Sequence, residues 1–246
     1  MIVKDGFLHF EESDNIKNKK ITGRSFVQLA SKNSFTPKGD CIINMFLRIK
    51  DEVDPYYTVR GEIAELIVEK VLKRKNKKVV RYTPEGENYD MFKELENCGG
   101  VIDLKIINED GSFDIIEVKS KEWNVYSEKR YKETEGNESE IWQALYYQYL
   151  MKAKKSIMAY VLFNENAKLC IQENLKLNPA DVKIFFKINY FDEKKVKQEI
   201  QNALKYKKWC WENKKVPIQD ISQKMLDFLI KEKGLKYEWG TFNRLY

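Results

Sequence analysis

Two apolar segments separated by a turn constrain the fold of this chain most. The first covers residues 100–107 and the second residues 113–119, and the segment between them contains Asp110-Gly111. An Asp-Gly pair between two apolar segments is typical of a β-hairpin. Because helical segments are predicted before and after this hairpin, we expect an α/β or α+β fold in which helices flank a central β-sheet.

The remaining elements are predicted from the periodicity of apolar residues. Helices are expected at 22–31, 38–50, 55–75, 140–153, 192–214 and 219–232, with residues 33–37 separating the first two. Strands are expected at 79–82, 156–163 and 182–190, with a strand pair or arm within 1–20 and a polar loop from 120 to about 138. The absence of an internal repeat or low-complexity linker predicts one domain, with its core at about 21–190 and a helical part at about 191–246.

The composition gives little direct evidence of a ligand but excludes some classes of protein. The net charge of +6 in 246 residues is compatible with nucleic-acid binding without being evidence for it. No apolar segment is long enough to cross a membrane, and the N-terminus lacks the charged-then-apolar order of a secretion signal. A cytoplasmic location is therefore expected.

His9 is the only histidine of the chain, and it lies in a predicted strand near the N-terminus. A catalytic triad, an HExxH zinc site or a histidine phosphorelay would each depend on that residue. The cysteines are far apart without a CxxC pair, which favours buried free thiols over disulfides or a metal cluster. They are Cys41, Cys98, Cys170 and Cys210. Any chemistry is expected to depend on carboxylates, lysine and bound metal.

Acidic residues and a lysine lie on the two strands of the predicted hairpin. Glu117 and Lys119 are two residues apart, so their side chains leave the same face of the strand. Pairing of the strands would bring Asp103 close to both, and neighbouring carboxylates favour a hard divalent cation. Such a cation can activate water for phosphodiester hydrolysis, and Lys119 would orient that water. A solvated Glu-Lys pair is the alternative, but an aspartate inside an apolar segment favours a reaction centre.

An aspartate on one strand followed by Glu-x-Lys on the next resembles the PD-(D/E)XK nuclease superfamily. Here the pattern is Gly100-Val-Ile-Asp103, then thirteen residues, then Glu117-Val-Lys119. The resemblance implies a restriction-endonuclease-like core with a central mixed β-sheet flanked by helices. It also implies a DNA nuclease that uses Mg²⁺, for which Mn²⁺ can substitute. The metal ligands that it implies are Glu65, Asp103, Glu117 and the backbone carbonyl of Val118.

The predicted helix at 55–75 contains the pattern Gly61-x-x-x-Glu65, and Asp54-Pro55 is a plausible start for it. Apolar residues on several sides predict that this helix is buried on more than one side, with Glu65 among apolar or small neighbours. Gly61 would allow another backbone or a phosphate to approach closely. In nucleases of this type the corresponding residue supports a metal ion, which the resemblance implies for Glu65. A solvated or capping glutamate is the alternative.

Gln143 and Tyr147 lie four residues apart on the predicted helix at 140–153, and therefore on one face. Core packing explains the aromatic residues of this helix well, but it does not explain a glutamine among them. A Gln-x-x-x-Tyr helix after the Glu-x-Lys strand is similar to RecB-type nucleases, where it lies against the active centre. The resemblance implies a supporting catalytic role for Gln143 and a substrate-binding role for Tyr147.

Residues 21–37 resemble the opening motif of YqaJ-type viral recombinases and of the lambda exonuclease group. There, a short turn with serine and often arginine precedes a helix. Arg24 and Ser25 at a helix start would suit a terminal phosphate, because free backbone N–H groups favour an anion and arginine can bind it through two N–H groups. Capping of the helix by Thr22 or Ser25 is an equally good interpretation.

Residues 120–138 mix aromatic and basic side chains. Such a mixture suits single-stranded DNA, through stacking and phosphate contacts, with Lys129 and Arg130 as candidate contacts. A solvated loop with a few packed aromatic residues is the alternative. Trp209 and Trp211 also lie beside lysines, but packing in a core or an interface is favoured for them.

These resemblances predict a DNA exonuclease that degrades linear duplex from a 5′ end in phage-type recombination or DNA processing, in the host cytoplasm if phage-encoded. A structure-selective, single-strand or restriction-like endonuclease is one alternative, and a catalytically silent DNA-binding module is another. CRISPR-associated relatives hold an iron–sulfur cluster on closely spaced C-terminal cysteines that this chain lacks, so no cluster is expected. The resemblance to lambda-type exonucleases also implies a homo-oligomer and a single-strand annealing protein as partner.

Overall fold

A computed structural model describes residues 1–32, 36–49, 54–82, 90–134 and 136–237. The strands are β1 (Ile2–Lys4), β2 (Phe7–His9), β3 (Lys78–Arg81), β4 (Leu104–Ile107), β5 (Phe113–Glu122), β6 (Lys155–Phe163), β7 (Val182–Ile188), β8 (Lys215–Pro217) and β9 (Lys236–Tyr237). The helices are α1 (Asp14–Asn18), α2 (Gly23–Leu29), α3 (Lys38–Leu47), α4 (Pro55–Arg74), α5 (Val125–Glu133), α6 (Glu138–Met151), α7 (Glu165–Gln172), α8 (Glu193–Asn213) and α9 (Gln223–Lys233).

The chain forms two compact units. The central unit consists of Glu52–Met91 and Gly100–Val196. The terminal unit consists of Met1–Asp51, Phe92–Gly99 and Lys197–Tyr246. That the whole chain acts as a single nuclease domain stays a prediction.

The central unit is built on a five-stranded sheet with the order β3-β4-β5-β6-β7. β5 and β6 are parallel, whereas the other neighbouring strands are antiparallel. Alternate residues of β6 point to opposite faces of this sheet. On one face Ala159 and Val161 pack against α4, and on the other Met158 and Leu162 pack with residues of α5 and α6. The predicted α/β fold, a mixed sheet flanked by helices, is therefore confirmed.

The predicted hairpin is formed by β4 and β5, which pair from Ile107–Phe113 to Leu104–Ile116. The turn between them contains Gly111, whose φ of 79° lies in the left-handed region that glycine adopts most easily. Asp103 was expected within the first strand but lies in the bend just before it. This difference places its carboxyl at the end of the strand rather than on its face.

α4 begins as predicted, because the Asp54 side chain accepts a hydrogen bond from the Tyr56 N–H and a proline occupies the first turn. The buried residues of this helix, Arg60, Ala64, Val68 and Leu72, form a single stripe at four-residue spacing. The expected burial on more than one side is therefore wrong, and Leu66 is exposed. An added Cβ on Gly61 would meet no described atom within 4 Å, so no described backbone approaches this glycine.

The expected polar loop at 120–138 is wrong in part, since β5 extends to Glu122 and α5 follows it. A reciprocal cap starts this helix: the Ser127 N–H donates to the Asn124 side chain at 2.8 Å, and the Asn124 N–H donates to Ser127 Oγ at 2.9 Å. The one buried residue of α5, Tyr131, stacks on Tyr160 of β6 with ring centroids 4.3 Å apart. α5 thus depends on this local cap and on the contact between Tyr131 and Tyr160, and it lacks the apolar stripe that would have predicted a helix.

The terminal unit contains the second sheet, with the order β8-β2-β1-β9, and the helices α1, α2, α3 and α9 together with most of α8. β1 and β2 form the predicted antiparallel strand pair. Cys41, Cys98 and Cys210 are buried, as expected for packed thiols. Of the predicted break between the first two helices, residues 33–35 lie outside the described residues.

None of the described helices combines the length and the apolar character that crossing a membrane requires.

Candidate active site

The candidate site lies beside β5, at the point where its pairing with β4 ends. The last β4–β5 pair is Leu104–Ile116, whereas β5 continues along β6 to Glu122. Asp103 occupies the edge left open, and its Oδ2 accepts a hydrogen bond from the Val118 N–H at 2.7 Å. The Asp103 carboxylate therefore accepts the hydrogen bond that a backbone carbonyl of a neighbouring strand would otherwise accept. This hydrogen bond fixes the carboxylate against β5.

Glu117 and Lys119 leave the same face of β5, as their spacing predicts. Lys119 Nζ donates to Glu117 Oε1 at 2.7 Å and to Gln143 Oε1 of α6 at 3.2 Å. Glu117 is buried, with 3% of its surface exposed. The structure thus brings three of the predicted catalytic residues into direct contact and sets Asp103 against the same strand.

The charges of this cluster act on one another in a desolvated space. Burial raises the pKa of the Asp103 carboxyl well above its usual range, and the charge of Glu117 raises it further, against the opposing charge of Lys119. Burial alone would lower the pKa of Lys119, but the charges of Glu117 and Asp103 outweigh it and raise the pKa overall. Lys119 is therefore a charged ammonium at neutral pH.

Glu65 reaches the cluster from α4. Burial raises the pKa of its carboxyl to about 7; the charge of Arg81 opposes this shift and that of Glu117 adds to it. Arg81, at the end of β3, lies 3.7 Å from Glu65 Oε2 and 3.6 Å from Glu69 Oε2. Since the charge of Glu65 also raises the pKa of Asp103, the three carboxylates share one electrostatic environment.

The chemistry of these donors fits a divalent cation. Three carboxylates in a partly buried cluster provide the hard oxygen ligands that Mg²⁺ and Mn²⁺ take. Burial raises the pKa of Glu65 and of Asp103, and a bound cation would stabilise the charged form of both. Among the described residues, however, no three Asp, Glu, His or Cys side chains are arranged as a metal site. Each of these carboxylates has a protein partner instead: Arg81 lies 3.7 Å from Glu65, Lys119 binds Glu117, and the Val118 N–H donates to Asp103.

α6 supplies acceptors for two lysines of β5. Gln143 binds Lys119, and Glu140, three residues earlier, forms a short ion pair with Lys121. Lys119 and Lys121 are two residues apart on a strand, so both face this helix. Glu140 was not among the predicted site residues, although its spacing from Gln143 matches the helical period and could have identified it.

Tyr147 packs against the segment that leads to Asp103. An added Cβ on Gly100 would lie 2.5 Å from the Tyr147 hydroxyl, and Gly100 has a φ of 122°. Tyr147 is buried, with 4% of its surface exposed. This burial favours a positioning role for Tyr147 over direct contact with a substrate.

Several solved structures resemble this one, although neither a family model nor a curated protein matches the sequence. The alkaline exonuclease LHK-Exo from Laribacter hongkongensis has a TM-score of 0.53 at 13% identity, over 80% of this chain and 92% of that chain. A phage-related exonuclease from Haemophilus somnus 129PT has a TM-score of 0.53 at 17% identity, over 81% of this chain and 98% of that chain. LHK-Exo in complex with dAMP has a TM-score of 0.52 at 14% identity, over 81% and 93%.

The chain shares the fold of these exonucleases. At these identities the likeness concerns the fold alone.

Arg60 is a buried residue of the central unit that was not among the residues predicted for the site. Its Nε donates to Ser120 Oγ at 3.2 Å and its Nη2 donates to the Ser120 carbonyl at 3.3 Å. The guanidinium also lies over the rings of Tyr56 and Tyr57, at 5.3 and 5.0 Å from their centroids. Because Ser120 follows Lys119 directly, Arg60 ties α4 to the strand that carries the site.

The residues predicted from the sequence to contact DNA lie away from this cluster along the chain. Arg24 is exposed on α2 of the terminal unit. The Ser25 hydroxyl accepts from the Thr22 N–H at 2.8 Å, so it caps α2. Lys129 and Arg130 are exposed on α5 of the central unit rather than on a loop. The cap is thus present in the structure, whereas a phosphate-binding role for these residues stays a prediction.

Proposed function

We propose that this protein is a metal-dependent DNA exonuclease. The observation that carries the proposal is the partly buried cluster in which Glu65, Asp103 and Glu117 act on one another beside the ammonium of Lys119. Hydrolysis of a phosphodiester needs oxygen ligands for a divalent cation and a fixed positive charge near the phosphate, and this cluster provides both. The exonuclease fold supports DNA as substrate, since the similar structures are those of exonucleases, one of them with dAMP.

The residues that would hold the cation are the carboxylates of Glu65, Asp103 and Glu117 and the carbonyl of Val118. In a strand, the N–H and C=O of one residue point to the same neighbour. Because the Val118 N–H points to Asp103, its carbonyl leaves β5 on the same edge. When bound, Mg²⁺ or Mn²⁺ would polarise the phosphodiester and lower the pKa of a water molecule.

Lys119 would orient the attacking water and offset the charge that develops on the phosphate. Gln143 would act on the reaction through Lys119, whose ammonium it holds. The water oxygen forms a bond to phosphorus while the bond from phosphorus to the 3′ oxygen breaks, so the product retains a 5′-phosphate. The proton lost by the water passes to solvent or to the departing 3′ oxygen.

The finer parts of the proposal concern the substrate and its setting. We propose degradation of linear duplex from a 5′ end, with Arg24 and Ser25 binding the terminal phosphate and Lys129 and Arg130 contacting the DNA strand. The resemblance to lambda-type exonucleases supports a role in phage-type recombination in the host cytoplasm, as a homo-oligomer with a single-strand annealing protein as partner.

Digestion of a set of DNA substrates tests the proposal. With Mg²⁺ or Mn²⁺ we expect shortening of 5′-phosphorylated linear duplex, slower shortening of the 5′-hydroxyl form, and an intact closed circle; EDTA should stop the reaction. Asp103→Asn and Lys119→Met should each lower the rate by roughly 10²-fold or more. The matched control is Asp110→Asn with Lys154→Met, which removes an exposed ion pair of the same unit.

Equal cleavage by the wild type, Asp103→Asn and Lys119→Met would discard the proposed centre. Cleavage of the closed circle would replace the exonuclease by an endonuclease. Tight DNA binding without turnover in either metal would indicate a silent DNA-binding module.

A further inference from the structure

A basic groove of the terminal unit, of about 370 Å³, lies between α1, α8 and the segment before Gly100. Four lysines line it together with Asn97 and Trp211; they are Lys17, Lys205, Lys207 and Lys208. In the part of the chain that the structure describes, only Lys208 of these four forms an ion pair, with Glu212 at 3.6 Å. The groove therefore gathers positive charge that no described carboxylate neutralises, apart from that pair.

Lys207 is the unusual member of this set, because only 4% of its surface is exposed. Its Nζ donates one hydrogen bond, to the Lys17 carbonyl at 3.1 Å, although an ammonium can donate three. Burial lowers the pKa of Lys207. A buried ammonium without a carboxylate partner lowers the stability of the fold. Its presence in a groove therefore points to an anionic ligand that neutralises the charge.

Trp211 distinguishes this groove from an ordinary lysine-rich surface. The neighbouring Trp209 packs on Phe7, with ring centroids 6.0 Å apart, but it is exposed rather than in the core. Trp211 instead lines the groove, and the Lys17 ammonium lies 5.0 Å from its ring centroid. Since this cation–π contact fixes a flexible lysine, the tryptophan holds one of the charges in place.

We propose that this groove, which shares no residue with the candidate centre, binds the phosphodiester backbone of a DNA strand. Its charges come from two helices, so they suit consecutive phosphates of a polyanion better than a single small anion. Lys205 and Lys208 are three residues apart on α8 and both exposed, which places them on one face of the helix. The choice of DNA as the ligand rests on the proposed function, but the groove needs neither the metal nor any residue of the central unit.

Binding of a fluorescently labelled single-stranded oligothymidylate, measured by anisotropy in EDTA, tests the proposal. Lys17→Gln, Lys205→Gln and Lys208→Gln combined should weaken binding by about tenfold and reduce the slope of log K against log salt by about 2, which is roughly 0.7 for each lost phosphate contact. The matched control combines Lys197→Gln, Lys224→Gln and Lys231→Gln, three exposed lysines of the same unit that do not line the groove. This control should leave affinity and slope close to those of the wild type.

Lys207→Met separates ligand binding from a structural role. We expect weaker DNA binding with an unchanged or higher Tm, because the variant removes a buried charge. A lower Tm with unchanged DNA binding would assign Lys207 to the fold and overturn its role as a phosphate contact.

Equal loss of affinity in the groove variant and in the control variant would also overturn the proposal, since it would mean unspecific attraction. So would stronger binding to phosphatidylserine vesicles than to DNA. The test is independent of the proposed hydrolysis: Asp103→Asn should retain groove binding, and an inactive enzyme could still bind DNA here.

Discussion

Lys119 is held from two sides, by a carboxylate of its own strand and by an amide of α6. A free lysine side chain samples many rotamers, so these two acceptors confine the positive charge to one place. The acceptor from α6 is neutral, which leaves the ammonium able to interact with a phosphate. This arrangement predicts that Gln143 affects turnover more than binding.

Gln143→Leu should lower kcat by about 10–100-fold with little change in KM, the usual range for a partner that orients a catalytic group. Gln143→Glu keeps an acceptor for Lys119 and should recover a large part of the loss. Steady-state kinetics on 5′-phosphorylated duplex measures both. Equal kinetics of Gln143→Leu and the wild type would remove Gln143 from the mechanism.

The thiols of Cys41 and Cys210 show what burial does to a single titratable group. Burial raises the pKa of each to about 12. A raised pKa keeps the thiol protonated, and hence unreactive, throughout pH 7–9. Iodoacetamide at pH 8.5 should therefore modify the half-buried Cys170 first and Cys41 and Cys210 only after unfolding, as mass spectrometry can measure. Rapid labelling of Cys41 in the folded protein would contradict the described packing.

At the scale of elements, the fold was predictable where the sequence carries strong local signals. α4 has the Asp54-Pro55 start, α6 is rich in apolar and aromatic residues, and the β4–β5 hairpin contains an Asp-Gly turn; all three were predicted. α5 was not, because Tyr131 is its only buried residue and its start depends on a cap between Asn124 and Ser127. α7 was missed for a related reason: it is short, and it begins at an Asn164 cap within a polar segment.

The candidate site was predictable to a similar degree. Asp103, Glu117 and Lys119 follow from spacing along two paired strands, so their proximity could be expected from sequence. Arg81 could not be assigned, because its partners Glu65 and Glu69 lie on α4 and only tertiary structure brings them together. The single buried stripe of α4 likewise depends on how the helix packs on the sheet.

The contact between Gly100 and Tyr147 joins α6 to the segment before β4. Gly100→Ala would add a Cβ 2.5 Å from the tyrosine hydroxyl at a φ of 122°, and such backbone strain alone costs roughly 1–3 kcal/mol. We expect a lower Tm and lower activity, because the displaced segment carries Asp103. Adding Tyr147→Phe should recover only part of the stability, since it removes the contact with the hydroxyl but leaves the ring carbons Cε1 at 2.9 Å and Cζ at 3.1 Å, and the backbone strain remains; full recovery would show that neither the ring nor φ matters here.

At the scale of the whole molecule, the acidic residues of the site come from positions 65, 103 and 117, so a bound ion would link segments that are distant along the chain. A ligand that binds only the folded state stabilises it, by about 2.7 kcal/mol at a hundredfold excess over Kd. Mg²⁺ should therefore raise the Tm of the wild type by roughly 5–11 °C.

Differential scanning calorimetry with Mg²⁺ and with EDTA measures this shift. Asp103→Asn should lose it, whereas Asp110→Asn, in the exposed turn of the same hairpin, should keep it. An equal shift in both variants would place the ion elsewhere.

The hydrogen bond from Val118 to Asp103 gives the protein a built-in spectroscopic reporter. An amide that donates to a carboxylate changes its proton and nitrogen resonances when that carboxylate gains a proton or a ligand. The Val118 cross-peak can therefore follow the state of the reaction centre in a protein that is not turning over, and in the absence of any DNA.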